Sequence, residues 1–167
     1  LSIYFTDQFL LSPVMAGYCT AACVFAGSLV RPVGGALADR VGGINTLIIV
    51  FIVAALMLAG VSMATTLPAA LGLFVIAMLA LGTGNGAVFQ LVPQRFQAEI
   101  GIMTGLVGMA GGVGGFYLAS SLGFAKQFTG SFSSGFLIFA SLAVVALIGM
   151  LMVKAKWRAN WTTGARI

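Results

Sequence analysis

Arg31 is the residue whose position most strongly suggests chemistry. It is the only charged residue between Gln8 and Ala38, inside the apolar stretch VFAGSLVRPVGGALA. A cation within a membrane span is costly and is usually retained for binding or transport. Because its guanidinium is a planar fork of donors, it suits a planar oxyanion that accepts two hydrogen bonds. The alternative is a structural arginine, paired with helix carbonyls or with a carboxylate from elsewhere.

The immediate surroundings of Arg31 favour a ligand pocket. Pro32 removes a backbone hydrogen bond, so we expect the helix to bend here. Arg31 lies eight residues before Asp39, which corresponds to a depth of roughly 12 Å from the inner face at about 1.5 Å per residue. Small residues one turn before and after it leave open space around the guanidinium, and these are Gly27, Ser28, Gly34 and Gly35.

Asn85 and Phe89 form a second candidate group, in the segment GTGNGAVFQ. They are four residues apart and therefore share a helix face. An amide can donate to an oxyanion, and a ring can stack on a planar one. Alone the pair is weak evidence, because Asn in a span often links helices and Phe usually packs. Gln90 lies about 100° further round, and we expect it to face a neighbouring helix.

A glycine stripe occupies a later apolar segment. Glycine weakens a helix, so this density needs a physical reason. One reason is static close packing between backbones, and the other is a packed surface that also moves or touches substrate. The sequence leaves both open. The stripe comprises Gly105, Gly108, Gly111 and Gly114 at intervals of three, with Gly101, Gly112 and Gly115 beside them.

Composition identifies an integral membrane protein. Of the 167 residues, 60% are hydrophobic and 7% are charged, with a mean hydropathy of +1.13, whereas soluble proteins carry about a quarter charged residues. There is no His, and the three acids, Asp7, Asp39 and Glu99, lie outside the middle of any span. Cys19 and Cys23 have no partners for a metal or redox site, so we predict no cofactor, no metal and no enzymatic activity.

Charge-free stretches of about 20 residues predict five full spans. The predicted spans are 14–38, 45–64, 68–92 (closed by Pro93), 101–125 and 131–153, preceded by the end of another at 1–9 and followed by a tail at 154–167. The chain starts without Met, so we expect a fragment of a longer protein. Six basic residues lie on one side (Arg40, Arg95, Lys154, Lys156, Arg158 and Arg166) and Lys126 on the other. This bias predicts a cytoplasmic C-terminus and explains the net charge of +5 without nucleic-acid binding.

The loop between the first two spans carries the pattern G-x-x-x-D-R-x-G, formed by Gly35, Asp39, Arg40 and Gly42. This pattern resembles the cytoplasmic loop signature of the major facilitator superfamily. Glycines permit close helix approach and a tight turn, and Asp39 is placed where a charge can change partners. An ordinary polar loop is the alternative interpretation.

Three blocks together resemble the C-terminal half of the nitrate/nitrite porters of that superfamily. GSLVRPVGGALADRVGG is similar to their helix eight and loop, with Arg31 at the place of the substrate arginine. GTGNGAVFQLVPQRF is similar to helix ten, with Phe89 at the place of the stacking ring. GIMTGLVGMAGGVGGFYL, which contains Gly108, Gly111 and Gly112, is similar to the glycine-rich signature of helix eleven. The likeness covers essentially the whole chain.

The resemblance implies an all-α membrane fold: the C-terminal six-helix bundle of a twelve-helix transporter in a bacterial-type plasma (inner) membrane. It implies that nitrate or nitrite is carried by alternating access, as antiport or as proton symport, with a second arginine supplied by the missing N-terminal bundle. Asn85 and the three glycines above would complete the site with Arg31 and Phe89. Two alternatives are a porter for another small organic or phosphate anion, and a structural or sensory membrane subunit that transports nothing.

Overall fold

The computed structural model describes the backbone of residues 1–160 and the side chains of residues 1–156. All regular elements within this part are helices, as expected for an all-α membrane fold. They are α1 (Ser2–Phe9), α2 (Pro13–Leu29), α3 (Arg31–Val41), α4 (Gly43–Ser62), α5 (Leu67–Arg95), a 3₁₀ turn (Gln97–Glu99), α6 (Ile100–Thr129) and α7 (Ser133–Asn160). Five spans are long and apolar enough to cross a membrane: Pro13–Val41, Gly43–Ser62, Leu67–Arg95, Gln97–Thr129 and Ser133–Lys156.

The first span is interrupted at Val30, which separates α2 from α3. Ser12 caps the start of α2, where its hydroxyl accepts a hydrogen bond from Met15 N at 3.4 Å. Pro32, the second residue of α3, has no N–H to continue the hydrogen-bond ladder. The disruption expected from Pro32 is therefore present, and it makes Arg31 the first residue of a separate helix.

Two helices run further than the sequence suggested. Pro93 does not close α5, which continues to Arg95, and Phe96 N donates to Val92 O at 2.9 Å. A proline removes only its own hydrogen bond, so the helix resumes once the following N–H groups find carbonyls. Likewise α7 continues past residue 153 to Asn160, so the first part of the predicted tail is helical. The rest of that tail, with Arg166, lies outside the described residues.

The α4 and α5 helices form the centre of the bundle. The α4 helix packs on α5 and α7, α2 packs on α5, and α3 packs on both α5 and α4. An aromatic cluster docks α1 against this centre: the Tyr4 ring makes edge-to-face contacts with Phe74 at 5.4 Å and with Phe136 at 5.1 Å between centroids. By contrast, α6 contacts α5 and α7 only slightly and contains no buried residue.

Glycines bring the backbones of α3 and α5 into direct contact. A Cβ atom on Gly86 would lie 2.8 Å from Gly35 N, and one on Gly34 would lie 2.6 Å from Thr83 Cα. The carbonyl of Arg31 is nearer still to the Gly86 position. Real Cβ atoms do not approach backbone atoms this closely. The seam between α3 and α5 therefore requires glycine at these positions.

We expect Gly86→Val to lower the melting temperature of the detergent-solubilised full-length protein by several degrees, because the new side chain collides with the Arg31 and Gly35 backbone. Gly72→Ala on the same helix is the matched control, since nothing lies within 4 Å of its Cβ position. That control should be neutral or slightly stabilising, because Ala favours helix over Gly. Equal melting temperatures for the two variants would contradict the seam.

Candidate functional site

Arg31 lies at the start of α3, with its backbone against α5 and its side chain exposed. Its guanidinium makes no hydrogen bond or ion pair with any of the residues whose side chains the structure describes. The structural role weighed above, pairing with a carboxylate or with helix carbonyls, is thus not seen within residues 1–156. A guanidinium with all its donors unused can accept an anion without first losing another partner.

Asn85 and Phe89 lie next to the point on α5 that contacts the Arg31 backbone. Gly86, the contact residue, directly follows Asn85 and precedes Phe89 by three positions. At about 100° per residue, both side chains lie on the same side of that contact. Both are exposed, Phe89 by 41%. The structure therefore brings Arg31, Asn85 and Phe89 to one stretch of the α3–α5 seam and leaves their side chains uncovered.

The glycine stripe of α6 is not brought to this seam. Gly108, Gly111 and Gly112 are exposed, and a Cβ atom on any of them would meet nothing within 4 Å. Within the part of the chain that the structure describes, these three glycines therefore make no close helix contact of the kind that small residues permit. A role for these glycines in substrate binding stays a prediction.

The loop motif forms a tight turn with a polar contact behind it. Gly42 ends α3 with φ of 99°, a value that side chains disfavour. Asp39 accepts a hydrogen bond from Gln90 Nε2 at 2.7 Å, so Gln90 does face a neighbouring helix. Gly35 faces Gly86, with 3.8 Å between its Cβ position and the Gly86 carbonyl oxygen. Arg40 lies in the last turn of α3.

A second polar link at the same end was missed by sequence reasoning. Lys154 of α7 donates to the Asn45 side-chain oxygen, and Asn45 Nδ2 donates to Val41 O at 3.0 Å. The sequence placed Lys154 in a tail, where its charge indicated only membrane orientation. Since the two residues are far apart in the chain, no local pattern pairs them.

The apolar cavity of the bundle is distinct from this site. It measures about 600 Å³ and lies between α6 and the pair α4 and α5, closed on one side by α7. Its lining includes Phe51, Phe74, Leu118 and Phe136 but no charged residue. None of Arg31, Asn85 and Phe89 borders it. Tyr117 adds one hydroxyl to a lining that is otherwise apolar, and such a cavity is a poor host for a desolvated anion.

Known proteins resemble this chain over nearly its whole length. No family model and no solved structure matches it. It is 34% identical over 160 residues to the probable nitrate transporter NarT of Staphylococcus epidermidis, covering 93% of this chain and 40% of that protein. It is 33% identical over 164 residues to the nitrite extrusion protein of Bacillus subtilis, covering 96% of this chain and 40% of that protein. The chain is therefore similar to nitrate/nitrite transport proteins over nearly its whole length.

The similarity to these relatives indicates the broad class of this chain. A Staphylococcus carnosus protein, also named probable nitrate transporter NarT, is 31% identical over 157 residues. The chain spans about 40% of the length of these curated relatives. The relatives are named as transport or extrusion proteins, and five helices of this chain can span a membrane. It is therefore a multi-pass integral membrane protein.

Truncation of the exposed ring should leave folding intact. We expect Phe89→Ala to lower the free energy of unfolding by less than about 1 kcal/mol, because much of the ring is already uncovered. Phe74→Ala is the matched variant on the same helix, where a ring only 2% exposed leaves a cavity in the aromatic cluster and costs about 3–5 kcal/mol. Denaturant or thermal unfolding in detergent compares them, and equal losses would contradict the exposed position of Phe89.

Proposed function

We propose that this chain is the C-terminal half of a nitrate/nitrite porter and that Arg31 binds the transported anion. The guanidinium of Arg31 lies within a predicted span on an open helix seam and has no partner among residues 1–156, and this observation carries the proposal. The names of the relatives supply the substrate class, since nitrate and nitrite are small planar oxyanions. A planar fork of donors matches such an anion better than a point charge does.

The side chains beside Arg31 complete the proposed site. The Asn85 amide donates a hydrogen bond to the anion, and the Phe89 ring stacks on its flat face. Gly108, Gly111 and Gly112 of α6 give the anion or the opposite bundle close access to the backbone. A second arginine, from the N-terminal bundle, grips the anion from the other side. Two facing cations repel each other, so closure is favoured only around an anion, which links binding to alternating access.

The proposed orientation places the loop of Gly35, Asp39, Arg40 and Gly42 at the cytoplasmic face, with the C-terminus on the same side. The excess of basic residues at that end supports it. This loop joins α3 to α4, so it moves with the helix that carries Arg31. In this arrangement it controls opening towards the cytoplasm.

Arg31→Lys in the full-length parent tests the role of the guanidinium. The variant keeps the charge and loses the fork, so we expect nitrate uptake into proteoliposomes to fall at least 100-fold, or about 2.7 kcal/mol. Arg166→Lys in the C-terminal tail is the matched control and should transport normally. Membrane insertion of both variants is checked by expression and gel filtration. Normal uptake by Arg31→Lys would exclude Arg31 as the anion ligand.

Phe89→Ala tests the stacking ring. We expect an increase of roughly 10-fold in the KM for nitrate, which corresponds to the loss of about 1.4 kcal/mol of contact energy. The maximal rate should change less, because the charged ligand remains. An unchanged KM would remove Phe89 from the site.

The coupling mode is decided by flux measurements on the full-length parent. Nitrate uptake is followed with and without nitrite inside the vesicles, and with and without an imposed pH gradient. Acceleration by internal nitrite without a response to pH identifies antiport, whereas uptake driven by the gradient identifies proton symport. Flux of neither anion would overturn the proposal in favour of a porter for an organic or phosphate anion, or of a subunit that transports nothing.

A further inference from the structure

A hydrogen bond between Gln90 and Asp39 ties the end of α3 to α5. Gln90 Nε2 donates to Asp39 Oδ1 at 2.7 Å. The acceptor is a carboxylate, which makes the bond charge-assisted and stronger than one between neutral groups. The reverse orientation of the amide would set its oxygen against the carboxylate, so chemistry requires the nitrogen to face Asp39. We call this contact the Gln90–Asp39 clasp.

Packing alone does not account for glutamine at position 90. Its other amide atom, Oε1, is buried and has no hydrogen-bond partner among the described residues. A buried acceptor without a partner is destabilising. A leucine would fill similar volume without leaving such an atom. The benefit of Gln90 therefore lies in the bond that its Nε2 makes to Asp39.

The clasp acts on the end of α3 that lies away from α2. Val30 interrupts the first span, although backbone hydrogen bonds continue across it. The Gly86 contact holds α3 near Arg31, its first residue, and the clasp lies two turns later at Asp39. Ala38, beside Asp39, is buried in a cluster with residues of α4 and α5, so packing sets the distance between the helices at this end. A directed hydrogen bond added to that packing limits rotation of α3 about its own axis and thereby fixes the direction in which Arg31 projects.

We propose that Gln90 is a positioning residue, which acts through Asp39 to hold Arg31 in place for the anion. This inference rests on the proposed function in so far as Arg31 binds nitrate. Gln90 itself does not touch the anion. Its effect reaches the site through the orientation of α3.

The uptake test compares two glutamines of α5. Gln90→Leu in the full-length parent removes the clasp, and we expect the KM for nitrate to rise about fivefold or more while the maximal rate changes less. Gln94→Leu, an exposed position one turn later, is the matched control and should keep the KM of the parent. An unchanged KM in Gln90→Leu, or an equal rise in the control, would overturn the proposal.

A second test measures the clasp without nitrate. Spin labels are attached at Leu37→Cys on α3 and Gln94→Cys on α5, both exposed positions, after the native cysteines are replaced. The Gln90→Glu variant then faces Asp39 with a second carboxyl group. Two carboxylates repel at neutral pH, and the contact reforms when one binds a proton. We expect a longer or broader distance distribution at about pH 8 and the parent distribution at about pH 5.

The charged groups around the clasp do not produce this pH response by themselves. Arg40 of α3, Arg95 of α5 and Glu99 of the 3₁₀ turn after α5 are the same in the parent and the variant, and neither α2 nor α4 carries a charged residue. A pH response that comes from the introduced carboxyl group should therefore be absent from the parent with Gln90. A Gln90→Glu distribution that equals the parent's at both values would overturn the clasp.

The two tests separate the clasp from the proposed function. A pH-dependent distance in Gln90→Glu, in a parent that moves no nitrate, would support the clasp as a structural tie and overturn its role in positioning an anion ligand. The opposite result is normal nitrate uptake together with a spin-label distance that changes neither in Gln90→Leu nor with pH in Gln90→Glu. It would overturn the clasp and leave the proposed function unaffected.

Discussion

The direct contact between the backbones of α3 and α5 is the constraint on which the candidate site depends. In a membrane, apolar side chains gain little by leaving lipid, so helices associate through close packing and hydrogen bonds. Gly34 and Gly86 allow that approach, and a Cβ atom at either position would strike backbone. Arg31 lies at this seam with its backbone carbonyl close to Gly86, so the seam helps to set its position.

An exposed guanidinium at such a seam does little to stabilise the fold. A cation taken from water into a low-dielectric region loses solvation, and no side chain described in residues 1–156 compensates Arg31. The carboxylate on its own helix is engaged elsewhere, since Asp39 accepts from Gln90. The charge is therefore available to an outside anion. This availability is what an anion-binding role requires and what a structural ion pair would prevent.

Sequence reasoning predicted the helices well and the polar contacts poorly, for a physical reason. A long apolar stretch is a local property of the sequence, and so is a proline within it. Five spans and the interruption near Pro32 were therefore predicted. The ends of helices depend on single hydrogen bonds, and α5 accordingly continues through Pro93. The link between Asn45 and Lys154 depends on how α4 and α7 rotate against each other. Rotation is set by the whole packing, and no local pattern records it.

The spans differ in mean hydropathy, and this difference indicates which helix faces suit lipid and which suit protein or water. The spans of α4 and α7 have mean hydropathies of 2.6 and 2.8, whereas those of α2–α3 and α6 have 1.6 and 1.5. A very apolar helix suits lipid or the packed centre where α4 lies, and the less apolar, glycine-rich ones suit contact with protein or water. The open stripe of α6 and the open side chain of Arg31 both belong to the less apolar class. In the proposed transporter, a second half would cover these faces, and the anion would lie between the halves.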